Sequence, residues 1–188
     1  LCAALSRLGA LQNPILPIYR EREVAVILDQ LETRLLVVPG LFRGFDHGAM
    51  AEELASTRKG LDRLIVDESL PEGDPADLPP RATGEVDPIR WVLYSSGTTA
   101  DPKGAQHTDG TLLAASRGFT ERLKLESDDR IALVFPVTHV GGILWLMNGL
   151  RVGCRQIVIP TFDPAQSIPL LADCGVTQAT AGTVFHQA

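Results

Sequence analysis

The sequence predicts an α/β fold of alternating strands and helices with a largely parallel sheet. Short aliphatic runs recur: RLLVV at 34–38, IRWVLY at 89–94, IALVF at 131–135 and RQIVI at 155–159. Segments whose apolar residues return at helical spacing lie between them. Turn and cap residues separate the two kinds, Pro39-Gly40, Asp163-Pro164 and Gly175 being the plainest. Strands alternating with helices in this way pair in parallel, because each helix carries the chain back to the edge where the last strand began.

Taken in order, Leu1, Ala4, Leu5 and Leu8 share one face of an opening helix. Residues 20–31 form the next, with Val24, Ile27, Leu28 and Leu31 at helical spacing. Glu21 and Glu23 sit in its first turn, where the helix dipole favours acids. The strand at 34–38 stops at Pro39-Gly40. Asp46 is placed to cap a helix running to Ala55, and 61–66 is a further strand. Residues 69–88 hold five prolines and form an acidic connection. It divides the chain into a lobe at 1–68 and a second at 89–188.

The second lobe opens with the strand at 89–94. A Gly/Ser/Thr loop follows, then a short strand at 103–107. Asp109 is expected to cap a helix whose apolar face is Leu112, Ala115, Phe119 and Leu123. The strand at 131–135 precedes a helix at 141–150 that is apolar all round. The strand at 155–159 comes next. Asp163-Pro164 starts the following helix, Gly175 ends it, and 176–180 is a strand. The chain begins without Met inside a helix and stops just after a strand, so it reads as a piece of a longer protein.

Composition narrows the function. The chain has 188 residues, 45% of them hydrophobic and 21% charged, which suits a globular core. Residues 67–88 hold seven acids and one base, the whole net charge of −6; the rest balances 16 acids with 16 bases. A neutral body with an acidic connection offers no footprint for nucleic acid and no polybasic patch for a membrane. Residues 131–150 carry no charge, but Pro136, His139, Gly141, Gly142 and Asn148 interrupt them, so they read as strand, turn and buried helix, not a membrane span. No secretory leader is visible. Cys2, Cys154 and Cys174 lack metal or redox spacing and read as small buried hydrophobes in a reducing, cytoplasmic setting.

The chemistry concentrates in Tyr94-Ser95-Ser96-Gly97-Thr98-Thr99-Ala100-Asp101-Pro102-Lys103-Gly104. Ser95, Ser96, Thr98 and Thr99 place four hydroxyls within five residues. Gly97 lets the backbone approach closely, and Lys103 can put a point charge on a polyphosphate. A loop leaving the carboxyl end of a strand is where α/β folds take ligands. It is not the G-x-x-x-x-G-K-[ST] loop that opens a helix, which argues against an ordinary phosphate-loop ATPase. From composition alone a solvated Ser/Thr-rich turn remains an equal reading. His139, just before Gly141-Gly142, reads on bare sequence as a hydrogen-bonded turn or core histidine.

The ordered segment resembles the signature of the adenylate-forming, AMP-binding superfamily, to which acyl-CoA synthetases belong: aromatic, two hydroxyl residues, Gly, two hydroxyl residues, Gly, any residue, Pro, Lys, Gly. Every specified position matches except Ala100, which stands where the family usually has Gly. If that position needs a positive φ, Ala costs about 1 kcal/mol. Asp109 stands where many members have His. Leu8-Gly9-Ala10, Asn13-Pro14 and Pro17, together with the turn from Pro136 to Gly142, extend the likeness along the chain.

The resemblance implies the large N-terminal domain of an ATP-dependent acyl-CoA synthetase. In such enzymes a carboxylate and ATP give an acyl-adenylate and pyrophosphate, and CoA then takes the acyl group. It implies Ser95, Ser96, Gly97, Thr98, Thr99, Lys103 and Gly104 around the ATP phosphates, with Ser96 toward Mg²⁺. It implies His139, Gly141 and Gly142 beside a fatty, cyclic or aryl acid, with Lys103 and His139 as the catalytic pair. Trp145 and Met147 line an acyl tunnel or pack the core. The adenine and ribose contacts and the catalytic lysine lie beyond this chain, so the piece by itself is expected to be inactive. A non-catalytic nucleotide- or acyl-binding relative is the alternative, and Ala100 is the residue that points to it.

Overall fold

The structure, a computed structural model, describes residues 1–80, 87–95 and 102–180. Six helices and nine strands lie among them, alternating from α4 onward. In order these are α1 (Cys2–Leu8), α2 (Glu21–Gln30), β1 (Leu35–Val38), β2 (Leu41–Phe42), β3 (Phe45–Asp46), α3 (His47–Ser56) and β4 (Asp62–Ile65). After a single 3-10 turn at Pro75–Asp77 come β5 (Ile89–Ser95), β6 (Lys103–Thr108), α4 (Asp109–Leu123) and β7 (Arg130–Leu133). The last are α5 (Val140–Val152), β8 (Arg155–Val158), α6 (Pro164–Asp173) and β9 (Gln178–Thr180). The α/β expectation holds. β1 pairs with β4, and β7 with both β8 and β9, in parallel. The two-residue ribbon β2–β3 is antiparallel.

The described residues form two compact units. The first takes in Leu1–Leu16 and the described residues of 83–93 and 105–188; the second takes in the described residues of 17–82 and 94–104.

In the second unit α3 carries the chain from β1 back to the parallel β4, with Leu35 opposite Asp62 and Val38 opposite Ile65. Val24, Ile27 and Leu28, one stripe of α2, are buried with Leu36, Val38, Met50, Ala51 and Leu54. Arg20 starts α2, its backbone N–H donating to Glu23 Oε2 at 3.2 Å. Asp46 caps α3 as expected, accepting from the Ala49 N–H at 2.8 Å. The Arg20 guanidinium lies 4.1 Å from the Phe45 ring centroid, and that ring meets His47 edge-on at 4.8 Å. His47 is only 5% exposed.

In the first unit β7 is the centre of a three-stranded sheet, ordered β8-β7-β9. Ile131, Ala132 and Leu133 are fully buried in it. A central parallel strand is covered on both faces, which is why it reads as an unbroken apolar run. Gln12 extends the other sheet: its N–H donates to the Arg90 carbonyl at 2.8 Å, and the Val92 N–H donates to Gln12 at 3.0 Å. Asp163 caps α6 through the N–H groups of Ala165 and Gln166, with Pro164 in the first turn, as the dipeptide predicts. Cys174 ends that helix and Gly175 follows with φ +63°, the left-handed conformation glycine tolerates.

Three expectations need correction. The α1 face is half-open, with Leu1 49% and Leu8 52% exposed. In α4 the buried stripe is Leu112, Ser116 and Thr120, while Phe119 is 46% exposed. The stripe turned because two of its polar members found partners across the helix pair. Ser116 and Asn148 of α5 are both 0% exposed. In the orientation that satisfies the amide, Asn148 Nδ2 donates to Ser116 Oγ at 2.7 Å and to the Leu144 carbonyl at 3.1 Å. The third concerns α5, which is not buried all round: Leu150 is 72% exposed. Trp145 is in the core with Leu125, Ile131 and Leu133, so core packing describes it. The cysteines are free and half-buried, and burial raises the Cys2 and Cys154 thiols. No helix among the described residues is long and apolar enough to cross a membrane.

Asn148→Ala removes the amide that fills this site and leaves Ser116 without it. A loss of about 1–3 kcal/mol in urea unfolding is expected. Burial first, then the Arg20 charge, holds the His47 imidazole below its ordinary 6.5, with Asp46 opposing. The unfolded chain takes up that proton at the ordinary value. The stability linked to His47 is therefore full above pH 6.5 and lost as pH falls below it. His47→Gln should flatten the acid side of the stability–pH curve.

Candidate functional site

The residues singled out by the sequence fall into two groups, one in each compact unit. Tyr94 and Ser95 end β5, and Lys103 and Gly104 begin β6, its neighbour in a two-stranded sheet. Ser95, Lys103 and Gly104 are exposed. Ser96, Gly97, Thr98 and Thr99, with Ala100, lie outside the described residues. The Tyr94 hydroxyl donates to Gln30 Oε1 of α2 at 2.8 Å. Burial raises its pKa, which keeps the phenol protonated and able to donate.

The second group is a single turn. β7 ends at Leu133, and residues 134–139 lead into α5. The His139 N–H donates to the Pro136 carbonyl at 2.9 Å, closing a tight turn. His139 is the N-cap of α5, and its Nδ1 accepts from the Gly141 N–H at 3.0 Å. A ring that accepts at Nδ1 carries its proton on Nε2 when neutral, leaving that N–H to donate elsewhere. The Phe135 ring stacks on His139 with centroids 5.3 Å apart and planes 11° from parallel. The imidazole is thus held on one side by an aromatic face and at one nitrogen by the helix start.

Both glycines have a reason. A Cβ on Gly142 would run into the Pro136 carbonyl oxygen and lie 3.0 Å from Val137 Cα. A Cβ on Gly141 would stand 3.1 Å from His139 Nδ1. The turn and the first coil of α5 press together only because neither position carries a side chain. Two further residues belong here that the sequence did not single out. Phe135 is the stacking partner, and the Thr138 hydroxyl is shielded from solvent with no hydrogen-bond partner. The aromatic four residues before His139 was the available signal for the first. The hydroxyl shows only in three dimensions.

Asp109 departs from expectation. Thr108 caps α4, its Oγ1 accepting from the Thr111 N–H at 3.0 Å while the Thr108 N–H donates to Thr111 Oγ1 at 3.0 Å. Asp109 is the first helical residue, and its Oδ1 accepts from Trp91 Nε1 of β5 at 2.7 Å. Trp91 is 4% exposed and packs with Leu93, Leu112 and Ile143. Met147 lies partly buried against that same cluster.

A cleft of about 500 Å³ opens among Asp129, Arg130, Cys154 and Arg155. It sits at the amino ends of β7 and β8, whereas open parallel sheets bind ligands beyond their carboxyl ends, where His139 stands. Among the described residues no group of three or more His, Cys, Asp or Glu side chains could hold a metal ion.

The chain is 26% identical over 194 residues to the medium-chain fatty-acid–CoA ligase of Escherichia coli (strain K12), an alignment covering 97% of this chain and 34% of that protein. It is 28% identical over 181 residues to 4-coumarate–CoA ligase 5 of Oryza sativa subsp. japonica, covering 94% of this chain and 34% of that one. The chain thus spans about a third of the length of these relatives. The inhibitor-bound N-terminal domain of FACL13 from Mycobacterium tuberculosis superposes with a TM-score of 0.79 at 24% identity, over 96% of this chain and 46% of that domain. That likeness shows that the chain has the fold of part of that N-terminal domain. The model of the AMP-binding enzyme family matches residues 1–186, and the chain belongs to that family.

Proposed function

We propose that the protein carrying this chain is an ATP-dependent acid–thiol ligase. A carboxylate oxygen attacks the α-phosphorus of ATP, the bond to pyrophosphate breaks, and an acyl-adenylate forms. A thiolate, that of CoA in this reading, then attacks the acyl carbon, and AMP leaves with the bonding electrons. The observation that carries the proposal is the ordered run from Tyr94 to Gly104, bounded by the end of β5 and the start of β6. What supports it further is membership of the AMP-binding enzyme family and relatives that are CoA ligases.

The roles follow from the chemistry of each group. The hydroxyls of Ser95, Ser96, Thr98 and Thr99, with the backbone at Gly97 and Gly104, donate to the β- and γ-phosphates. Lys103 offsets their charge as pyrophosphate departs. Ser96 would be the residue that holds a Mg²⁺ ion, which would supply positive charge to the phosphates and needs few protein ligands. His139 donates from Nε2 to a substrate oxygen, Phe135 fixes its plane, and Gly141 and Gly142 let the turn close against α5 beside the acid. Positioning and charge compensation are the main tasks in phosphate chemistry of this kind. The substrate class is a fatty, cyclic or aryl carboxylic acid. A long-chain fatty acid is the finer version of the proposal.

Pyrophosphate exchange into ATP by the full-length protein, with a panel of fatty, cyclic and aromatic acids, tests this. Exchange with some acid, reduced about 10²–10³-fold by Lys103→Ala, is expected. Exchange with no acid while Mg·ATP still binds would sink the ligase reading in favour of a binding relative, with Ala100 the first residue to restore to Gly. Gly142→Ala tests the acid side. It should cost about 1–3 kcal/mol of stability through overpacking against Pro136, and raise the KM for the acid without changing the Kd for ATP.

A further inference from the structure

The bond between Trp91 and Asp109 occupies a position in the chain that packing alone does not explain. Trp91 is on β5, and the chain runs from there through Ser95, the hydroxyl loop and Lys103 to Asp109 at the start of α4. A hydrogen bond of 2.7 Å between the two closes that stretch into a ring. The ring contains every residue assigned above to the ATP phosphates.

Asp109 serves the buried indole and not the helix cap. The capping role belongs to Thr108. The first turn of α4 favours a carboxylate through the helix dipole, but that effect needs no particular partner. An indole N–H, by contrast, is a donor only, and at 4% exposure Trp91 must find an acceptor. An ionised acceptor makes that bond about twice as strong as a neutral one. A second carboxylate supports the same junction. Asp87, just before β5, accepts from the Gly110 N–H at 3.2 and 3.3 Å. A Cβ on Gly110 would strike that carboxylate, so the approach is close. The entry to β5 and the start of α4 are therefore tied twice, on either side of the loop in sequence.

We propose that Asp109 is a positioning residue for the phosphate loop. Through Trp91 it fixes where the chain enters and leaves the loop, without touching the nucleotide. This rests on the reading of the loop as an ATP-binding element. It predicts that breaking the bond weakens Mg·ATP binding, and that the acceptor oxygen at position 109 matters more than its charge.

The test is the Kd for Mg·ATP, measured by calorimetry on the full-length protein and on Asp109→Ala, Asp109→Asn and Trp91→Phe, with melting temperatures recorded for each. Asp109→Ala and Trp91→Phe should each weaken binding about tenfold, the worth of one such bond. Asp109→Asn keeps an acceptor oxygen and should stay within about threefold of wild type. Trp91→Phe and Asp109→Asn keep shape, so that pair decides the matter even if Asp109→Ala fails to fold. In pyrophosphate exchange the weakened variants should show a raised KM for ATP with kcat near wild type. Unchanged Kd values, with or without a fall in melting temperature, overturn the proposal. So does equal weakening by Asp109→Asn and Asp109→Ala. A wild-type protein that follows the Kd pattern but exchanges pyrophosphate with no acid defeats the ligase reading alone. One that does not bind Mg·ATP defeats both.

Discussion

Parallel pairing is the constraint from which the first unit is built. β7, β8 and β9 run in one direction, so each link between them must return across the sheet before the next strand can start. α5 makes the return from β7 to β8, and α6 with its following turn makes the return that leads to β9. The turn that ends in His139 exists because the chain has to reverse at the carboxyl end of β7. The buried run Ile131–Leu133 anchors one side of that reversal and the apolar face of α5 the other. A histidine held between them is fixed by the core and not by the loop alone.

The two groups of candidate residues are made in different ways. The turn around His139 is tightly specified: two glycines permit close packing, a backbone carbonyl closes the turn, and an aromatic face holds the ring. Ser95, Lys103 and Gly104 are exposed residues at strand ends, with hydroxyls between them in the sequence. A ligand with several anionic oxygens suits the second kind, because many weak donors can share it. A single acyl group suits the first kind, because one orientation has to be chosen.

Much of this was readable in the residues, and the reasons differ by position. Asp163-Pro164 announced α6 because a cap and a pre-set φ act locally. The stripe Val24, Ile27 and Leu28 announced α2 because apolar spacing reports the buried face. The residue pattern from Tyr94 to Gly104 and the His-x-Gly-Gly turn carried the functional reading. Ser116 and Thr120 were missed because their burial depends on partners on another helix. Ser116 finds Asn148, and the Thr120 hydroxyl accepts from the Arg151 guanidinium at 3.3 Å. Asp109 was misread as a cap because the choice between Thr108 and Asp109 turns on an indole 18 residues away in sequence.

The Ser116–Asn148 contact has a consequence for motion. An apolar seam between two helices tolerates sliding, since one aliphatic contact replaces another at little cost. A fully enclosed amide that meets a hydroxyl and two carbonyls does not. Shifting α5 along α4 by a single turn would part the amide from the Ser116 hydroxyl and carbonyl in a dry interior. The two helices therefore move as one body. Any rearrangement that changes the surroundings of His139 has to carry α4 with α5, including the end of α4 that begins at Asp109.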